Sequence, residues 1–288
     1  MKLTRWFLGL LLVFESLPAA AAQLQPATAQ AWEQYVRSAD KRIAERVDGC
    51  KPFLWTDESP TRRQRVAHGE IVVAPVAGEG AESVPNGLIH DWIGAVFIPH
   101  ATIAGLLRVV HDYDRYAAIY KPVVARSASL AAAETHQEFS MVWRRRALFV
   151  NFAMEGRYEA NDVTLDAHRG YSVIHATEVR EFQDYGHNGQ RLLPAGTGSG
   201  FVWHVRSVAR YEERDGGVYL EMEALALTRD IPPSMRWLIV PLVNRISVNS
   251  LTATLRQTRD AVQALPAADL ALGTPRPGGP GVAKRGER

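Results

Sequence analysis

The stretch "LEMEALALTRDIPPSMRWLIVP", residues 220–241, changes period in its middle. Leu220, Met222, Ala224 and Ala226 recur every second residue, as one face of a strand requires. Arg229 to Pro233 reads as a turn, and Pro232-Pro233-Ser234 predicts a helix start, because proline is tolerated in the first helical turn and nowhere deeper. Farther on, Val248, Leu251, Leu255, Thr258 and Val262 form one apolar stripe that can lie across a sheet. Pro241 lacks an N–H and is predicted to kink this helix about two turns from its start. The unbroken apolar run from Trp237 to Val243 then has to face both a sheet and whatever gap the helix leaves against it.

Working back from that corner, period two recurs. Phe139, Met141 and Trp143 share a face, as do Leu148, Val150, Phe152 and Met154, then Tyr171, Val173, His175 and Val179, then Phe201, Trp203, Val205 and Ala209. Asn161-Asp162, His168-Arg169-Gly170, "GHNGQRLLPAGTGSG" and Asp215-Gly216-Gly217 separate these runs as turns or loops. Together they predict a long antiparallel meander with one apolar face. Upstream, "IAGLLRVVHDYDRYAAIY" behind Thr102 predicts a capped helix closed by Lys121-Pro122. "RVAHGEIVV" and "GLIHDWIGAVFIP" read as two strands around the Gly- and Pro-containing "APVAGEGAESVPN". Residues 27–47 space Trp32, Val36, Ala39, Ile43 and Val47 as one helix face, stopped by Asp48-Gly49. The order implies an α+β fold: a curved antiparallel sheet wrapped around a long C-terminal helix, with room for a cavity between them.

Two segments on this order carry a resemblance. "FIPHATIAGLLRVVHDYDRYAAIYKPVVARS" resembles the opening of the START-like, or Bet v 1-like, helix-grip superfamily (SRPBCC). "SGFVWHVRSVARYEERDGGVYLEMEALALTRDIP" followed by "RWLIVPLVNRISVNSLTATLRQTRDAV" is similar to the end of its secreted bacterial members. The likeness spans roughly residues 64–264 and implies a helix-grip domain over 64–265, preceded by an N-terminal helix and linker over 23–63. It implies fold more than chemistry, because the superfamily includes lipid carriers, plant ligand-binding proteins, polyketide cyclases and ring-hydroxylase subunits.

Lys2 and Arg5, the apolar Trp6 to Phe14, and Ala20-Ala21-Ala22 have the three parts of a secretory signal, so residues 1–22 are read as a leader and the protein as periplasmic or extracellular. After Leu265 the composition turns to Pro, Gly and charge, which predicts a disordered tail over 266–288. The chain has 288 residues, 47% hydrophobic and 22% charged, which excludes disorder of the whole. Cys50 is the single cysteine, so no intrachain disulfide can form. The formal charge of +2 demands no basic face, and nucleic acid is not an expected partner.

The strand faces predict a ligand site lined by Phe139, Met141, Trp143, Arg145, Phe152, His175, Phe201, Trp203, Met222 and Trp237. By alternation Arg145 points inward among apolar residues while Arg144 and Arg146 point out; an inward arginine needs a carboxylate of the protein or an acidic ligand head group. Glu221 and Glu223 share the opposite face and are expected in solvent. Tyr113, Tyr116 and Tyr120 are expected to pack between helix and sheet. None of the nine histidines forms a metal-binding pair at helical spacing, and Ser199 lacks the glycines of a nucleophile elbow. The expected function is noncatalytic binding or carriage of a hydrophobic small molecule or lipid, with no cofactor and with transient membrane contact. The alternatives are a polyketide-cyclase-like enzyme using the same cavity, or a protein-interaction module.

Overall fold

The computed structural model describes residues 22–147 and 150–266, so the expected leader up to residue 21, residues 148–149 with Leu148, and the expected tail from residue 267 lie outside the described residues. A short strand β1 (Ala22–Gln23) leads into α1 (Pro26–Val47), a 3₁₀ turn at Trp55–Glu58 and α2 (Pro60–Ala67). Strands β2 (Val72–Pro75), β3 (Ala81–Val84) and β4 (Gly87–Pro99) follow, then α3 (Ile103–Val110), a 3₁₀ turn at Tyr113–Arg115 and α4 (Tyr116–Ile119). The meander comprises β5 (Val124–Ala132), β6 (His136–Ala147), β7 (Val150–Thr164), β8 (Arg169–Gln183), β9 (Arg191–Leu192), β10 (Thr197–Gly198), β11 (His204–Arg214) and β12 (Gly217–Arg229). The last element is α5 (Pro233–Gln263).

Among the described residues the main sheet runs β2-β4-β12-β11-β8-β7-β6-β5, all antiparallel, with β3 on β4 and β9 on β8. This is the helix-grip arrangement, with α5 returning over the sheet. Leu251 and Leu255 of the predicted stripe pack with Trp92, Val96 and Leu220, and Val262 reaches the same core, which also takes in Leu106 and Val109 of α3. Gly94 permits the close approach: a Cβ there would stand 2.7 Å from Leu255 Cδ1.

Three local readings change. "RVAH" belongs to α2 and its C-cap rather than to a strand, since Ser59 caps Arg62 N and Pro60 opens the helix. The helix behind Thr102 is capped as expected, with Thr102 Oγ1 accepting from Gly105 N, but it stops at Val110. Tyr113 must turn under the sheet, where its ring stacks 4.1 Å from Phe139, and a continuous helix would not deliver it there. Strand β5, "VARSASLAA", carries too few large apolar residues to announce itself, because half of it lies exposed along the sheet's edge.

Candidate functional site

Cross-strand register assigns the two faces. Trp143 pairs with Met154, Arg145 with Phe152, Ser207 with Ala224, Ala209 with Met222, and Ala226 with His90, so these side chains stand on the concave face that α5 approaches. One end of that face is plugged. Tyr113, Tyr116 and Tyr120 pack with Phe139 and Tyr158, and Tyr120 Oη lies 3.0 Å from Thr258 Oγ1 of α5. The expected packing role of the tyrosines is therefore observed, and Phe139, predicted to line a cavity, is locked inside this plug at 2% exposure. Met141 packs at its margin.

The middle of the concave face is open. Along β12, the convex-side residues Glu221, Glu223, Leu225 and Leu227 are buried, whereas Met222, Ala224 and Ala226 on the concave side are only half-buried. Val205, Ser207 and Ala209 of β11 repeat this pattern against buried Val208 and Arg210. The cause is the placement of α5, which lies chiefly over β4 at one side of the sheet. Its first turns lean toward the β2–β3 loop, where Asn244 Nδ2 donates to Glu79 O at 2.9 Å. Trp237 and Leu238 in these turns are 77% and 55% exposed. Trp237, predicted as a lining residue, thus faces outward, and its indole N–H turns back to Ser234 O. Helix α5 runs through Pro241 without interruption.

At the other end an aromatic rail borders the opening. Trp143 meets Phe152 edge-on at 6.0 Å, and Phe152 stacks on Phe201 at 5.0 Å. Phe201 adjoins Gly200, whose carbonyl accepts from Arg229 N, so the rail reaches the corner where β12 becomes α5. Trp143 Nε1 is held by Tyr158 Oη at 3.1 Å. Glu181, on the same face, accepts from Ser199 N and Oγ, both at 2.7 Å, and pins this loop. Glu181 carried no sequence signal, because its partner is a serine in an irregular loop.

Two predicted lining residues stand on the convex side. His175 pairs in register with Glu159 and Arg206, and its imidazole Nε2 is 3.4 Å from Glu159 Oε2. Its neighbours Tyr171 and Val173 do share its face, but that face is the outer one. Trp203 precedes the regular part of β11 and turns under α1, packing with Trp32, Ile89, Leu225 and Leu227. A shallow concavity of about 200 Å³ beneath α1 is lined by Trp32, His175, His204 and Arg206 among others.

The convex side also holds the largest departure from expectation. Glu221 and Glu223 are 0% and 4% exposed, beneath α1 and the 3₁₀ turn, rather than in solvent. Glu221 accepts from Trp55 N, Thr56 N and Thr56 Oγ1, and Arg210 Nε lies 3.4 Å away. Arg42 of α1 bridges Glu223 and Asp91, each at 2.7 Å, and Tyr35 Oη donates to Asp91. Burial, reinforced by the Glu223 charge, pushes the Asp91 carboxyl upward even though Arg42 and Tyr35 hold its ionised form. These contacts bolt the N-terminal helix to the sheet.

His90, on β4, is buried with Nε2 3.2 Å from Thr228 Oγ1, and burial lowers its pKa from 6.5 to about 4. Between those values the unfolded chain binds a proton that the folded chain refuses, so this stability is lost as pH falls through the window. Urea unfolding of the protein and of His90→Gln at pH about 7 and about 4.5 should show the native chain losing about 2 kcal/mol more on acidification than the variant. Equal losses would place the acid sensitivity elsewhere; Asp91 is common to both forms and cancels.

Among the described residues no three His, Cys, Asp or Glu side chains converge as metal ligands would. No protein-family model matches the sequence, and no curated protein matches it. Solved structures do. A STAR-related lipid transfer protein from Xanthomonas axonopodis is 17% identical, with 67% of this chain and 98% of that one covered at a TM-score of 0.45. Human STARD10 is 9% identical over 65% of this chain and 75% of its own, at a TM-score of 0.40. The Zhui aromatase/cyclase from a Streptomyces species is 16% identical over 61% and 97%, at 0.37. These likenesses carry no ligand or activity across. The chain itself has an α+β fold in which a large curved antiparallel sheet packs against a long C-terminal helix.

Proposed function

We propose that this protein binds a hydrophobic small molecule or lipid, noncatalytically, in the groove between the open concave face and the first turns of α5. The observation that carries the reading is the inverted burial along β12: the glutamate-bearing side is covered, while the side carrying Met222, Ala224 and Ala226 is left half-open opposite an apolar helix. Such a surface gains about 25 cal/mol per Å² once an apolar ligand covers it. Native mass spectrometry of protein from its own host should find an apolar molecule retained. Filling the groove with Ala224→Phe should weaken uptake of a fluorescent fatty acid by about tenfold. Undiminished uptake in a folded variant would move the site elsewhere.

Entry is proposed to involve the start of α5. Pro241 supplies no N–H to the Trp237 carbonyl one turn earlier, which lowers the cost of opening this segment. Pro241→Ala should slow exchange of a fluorescent fatty acid with vesicles severalfold, and equal rates would show that the segment does not gate the groove. Transient contact of Trp237 and Leu238 with a membrane belongs to the same reading. Export completes it, supported by Lys2, Arg5, the apolar stretch and the alanines before Gln23. N-terminal sequencing of the protein from periplasm or medium tests it, and an intact Met1 in the cytoplasm would overturn it.

A further inference from the structure

Arg145 stands on the concave face beside the aromatic rail, paired in register with Phe152 and two residues from Trp143. It is half-buried, and no ion pair or hydrogen bond engages it among the described residues. Burial makes this isolation unusual, since water can solvate exposed arginines such as Arg37, Arg245 and Arg256. Arg42, Arg46, Arg206, Arg210 and Arg214 all meet carboxylates. Glu181, a carboxylate of the same face, is committed to Ser199. Burial alone acts on the Arg145 guanidinium and depresses its pKa, with no neighbouring charge to offset it. Arginine nevertheless stays charged in proteins, so the group retains an unsatisfied planar fork suited to a carboxylate or phosphate.

We propose that Arg145 receives the anionic head of the ligand, and that the groove therefore selects amphipathic anions, single-chain carboxylates or phosphate monoesters, over neutral lipids. The position fits: the rail Trp143–Phe152–Phe201 leads from Arg145 to the corner at the start of α5, so a chain laid along the groove has its charged end beside the guanidinium. Desolvation strengthens the pair, because the same ion contact is worth severalfold more beside apolar rings than in bulk water.

This inference rests on the groove proposed above, and the test separates the two. Dissociation constants would be measured for palmitic acid, hexadecyl phosphate and hexadecanol, below their micellar concentrations, with the native protein, Arg145→Met and Arg145→Lys. The native protein should prefer both anions to the alcohol by about tenfold or more. Arg145→Met should abolish that preference while leaving hexadecanol affinity unchanged, and Arg145→Lys should retain part of it. Its melting temperature should not fall, since replacing an unpaired half-buried charge with an apolar side chain does not destabilise. Preference for only one anion narrows the head group to that chemistry and leaves Arg145 as its anchor. Equal affinity for acid, phosphate and alcohol, or a preference that survives in Arg145→Met, overturns the role of Arg145 while keeping the groove. Failure of all three molecules to bind overturns the groove itself, and the inference with it.

Discussion

Glu221→Ala should cost the fold about 3–5 kcal/mol, much of the total stability of an ordinary domain. Glu221 is 0% exposed and accepts from two successive backbone N–H groups, Trp55 at 2.9 Å and Thr56 at 2.6 Å, as well as from Thr56 Oγ1. Removing the carboxylate leaves those donors dry and unpaired, each at about 1–3 kcal/mol. It also leaves Arg210, 1% exposed, with Glu223 at 3.6 Å as its one remaining ion-pair partner among the described residues. Urea unfolding would read the loss. Glu221→Gln should lie between the two, since an amide oxygen can still accept from Thr56 but offers Arg210 no charge. The double variant Glu221→Leu with Arg210→Met should recover part of the deficit by removing both ions together. A loss below about 1 kcal/mol for Glu221→Ala would mean that water, rather than the 3₁₀ turn, satisfies this carboxylate.

The same strand shows how far the sequence could be read. Alternation correctly separated Leu220, Met222, Ala224 and Ala226 from the residues between them, and it correctly turned Arg145 inward against Arg144. Period two, however, says only that two sets face apart; which set is covered depends on elements arriving from elsewhere in the chain. A signal was present in the other set. Glu221 and Glu223 share their face with Leu225 and Leu227, and a face bearing two leucines beside two glutamates is one that something must cover. The cover is α1, whose Trp32, Ala39 and Ile43 stripe was legible as a helix face but had no visible destination. His175 failed for a related reason, since Tyr171 and Val173 make a face look apolar whether it lines a groove or the outer wall. Trp203 failed because the glycine-rich loop before β11 runs three residues beyond Gly200, where the alternation from Phe201 ends it, which frees the indole to turn under α1. The aromatic rail was legible residue by residue; its continuity required the register of β6 on β7 and the return of Phe201 from a loop.

Trp32→Ala should be comparably damaging, at about 3–5 kcal/mol, and its consequences decide what kind of element α1 is. Trp32 is 9% exposed, stacks on the His204 ring at 5.7 Å, and packs with Ile89, Trp203, Leu225 and Leu227. These partners belong to β4, to β12 and to the loop entering β11, so the indole fills a core shared by the helix and the centre of the sheet. Were α1 an appendage tethered by its linker, truncating Trp32 would loosen the helix locally and leave the sheet's unfolding transition in place. As a structural layer, α1 cannot leave without exposing Leu225 and Leu227 and stranding Asp91 and Glu223 without Arg42. The variant should therefore unfold in one transition at lower denaturant, with near-ultraviolet and far-ultraviolet signals still coincident. His204 gives an independent reading, because burial beneath Trp32 holds its imidazole pKa below the ordinary value. In the variant that pKa should rise toward the ordinary value as water reaches the ring, which a proton NMR titration would follow. Two separated transitions, or an unmoved His204, would return α1 to the status of an appendage and leave the concave groove to be held open by the sheet alone.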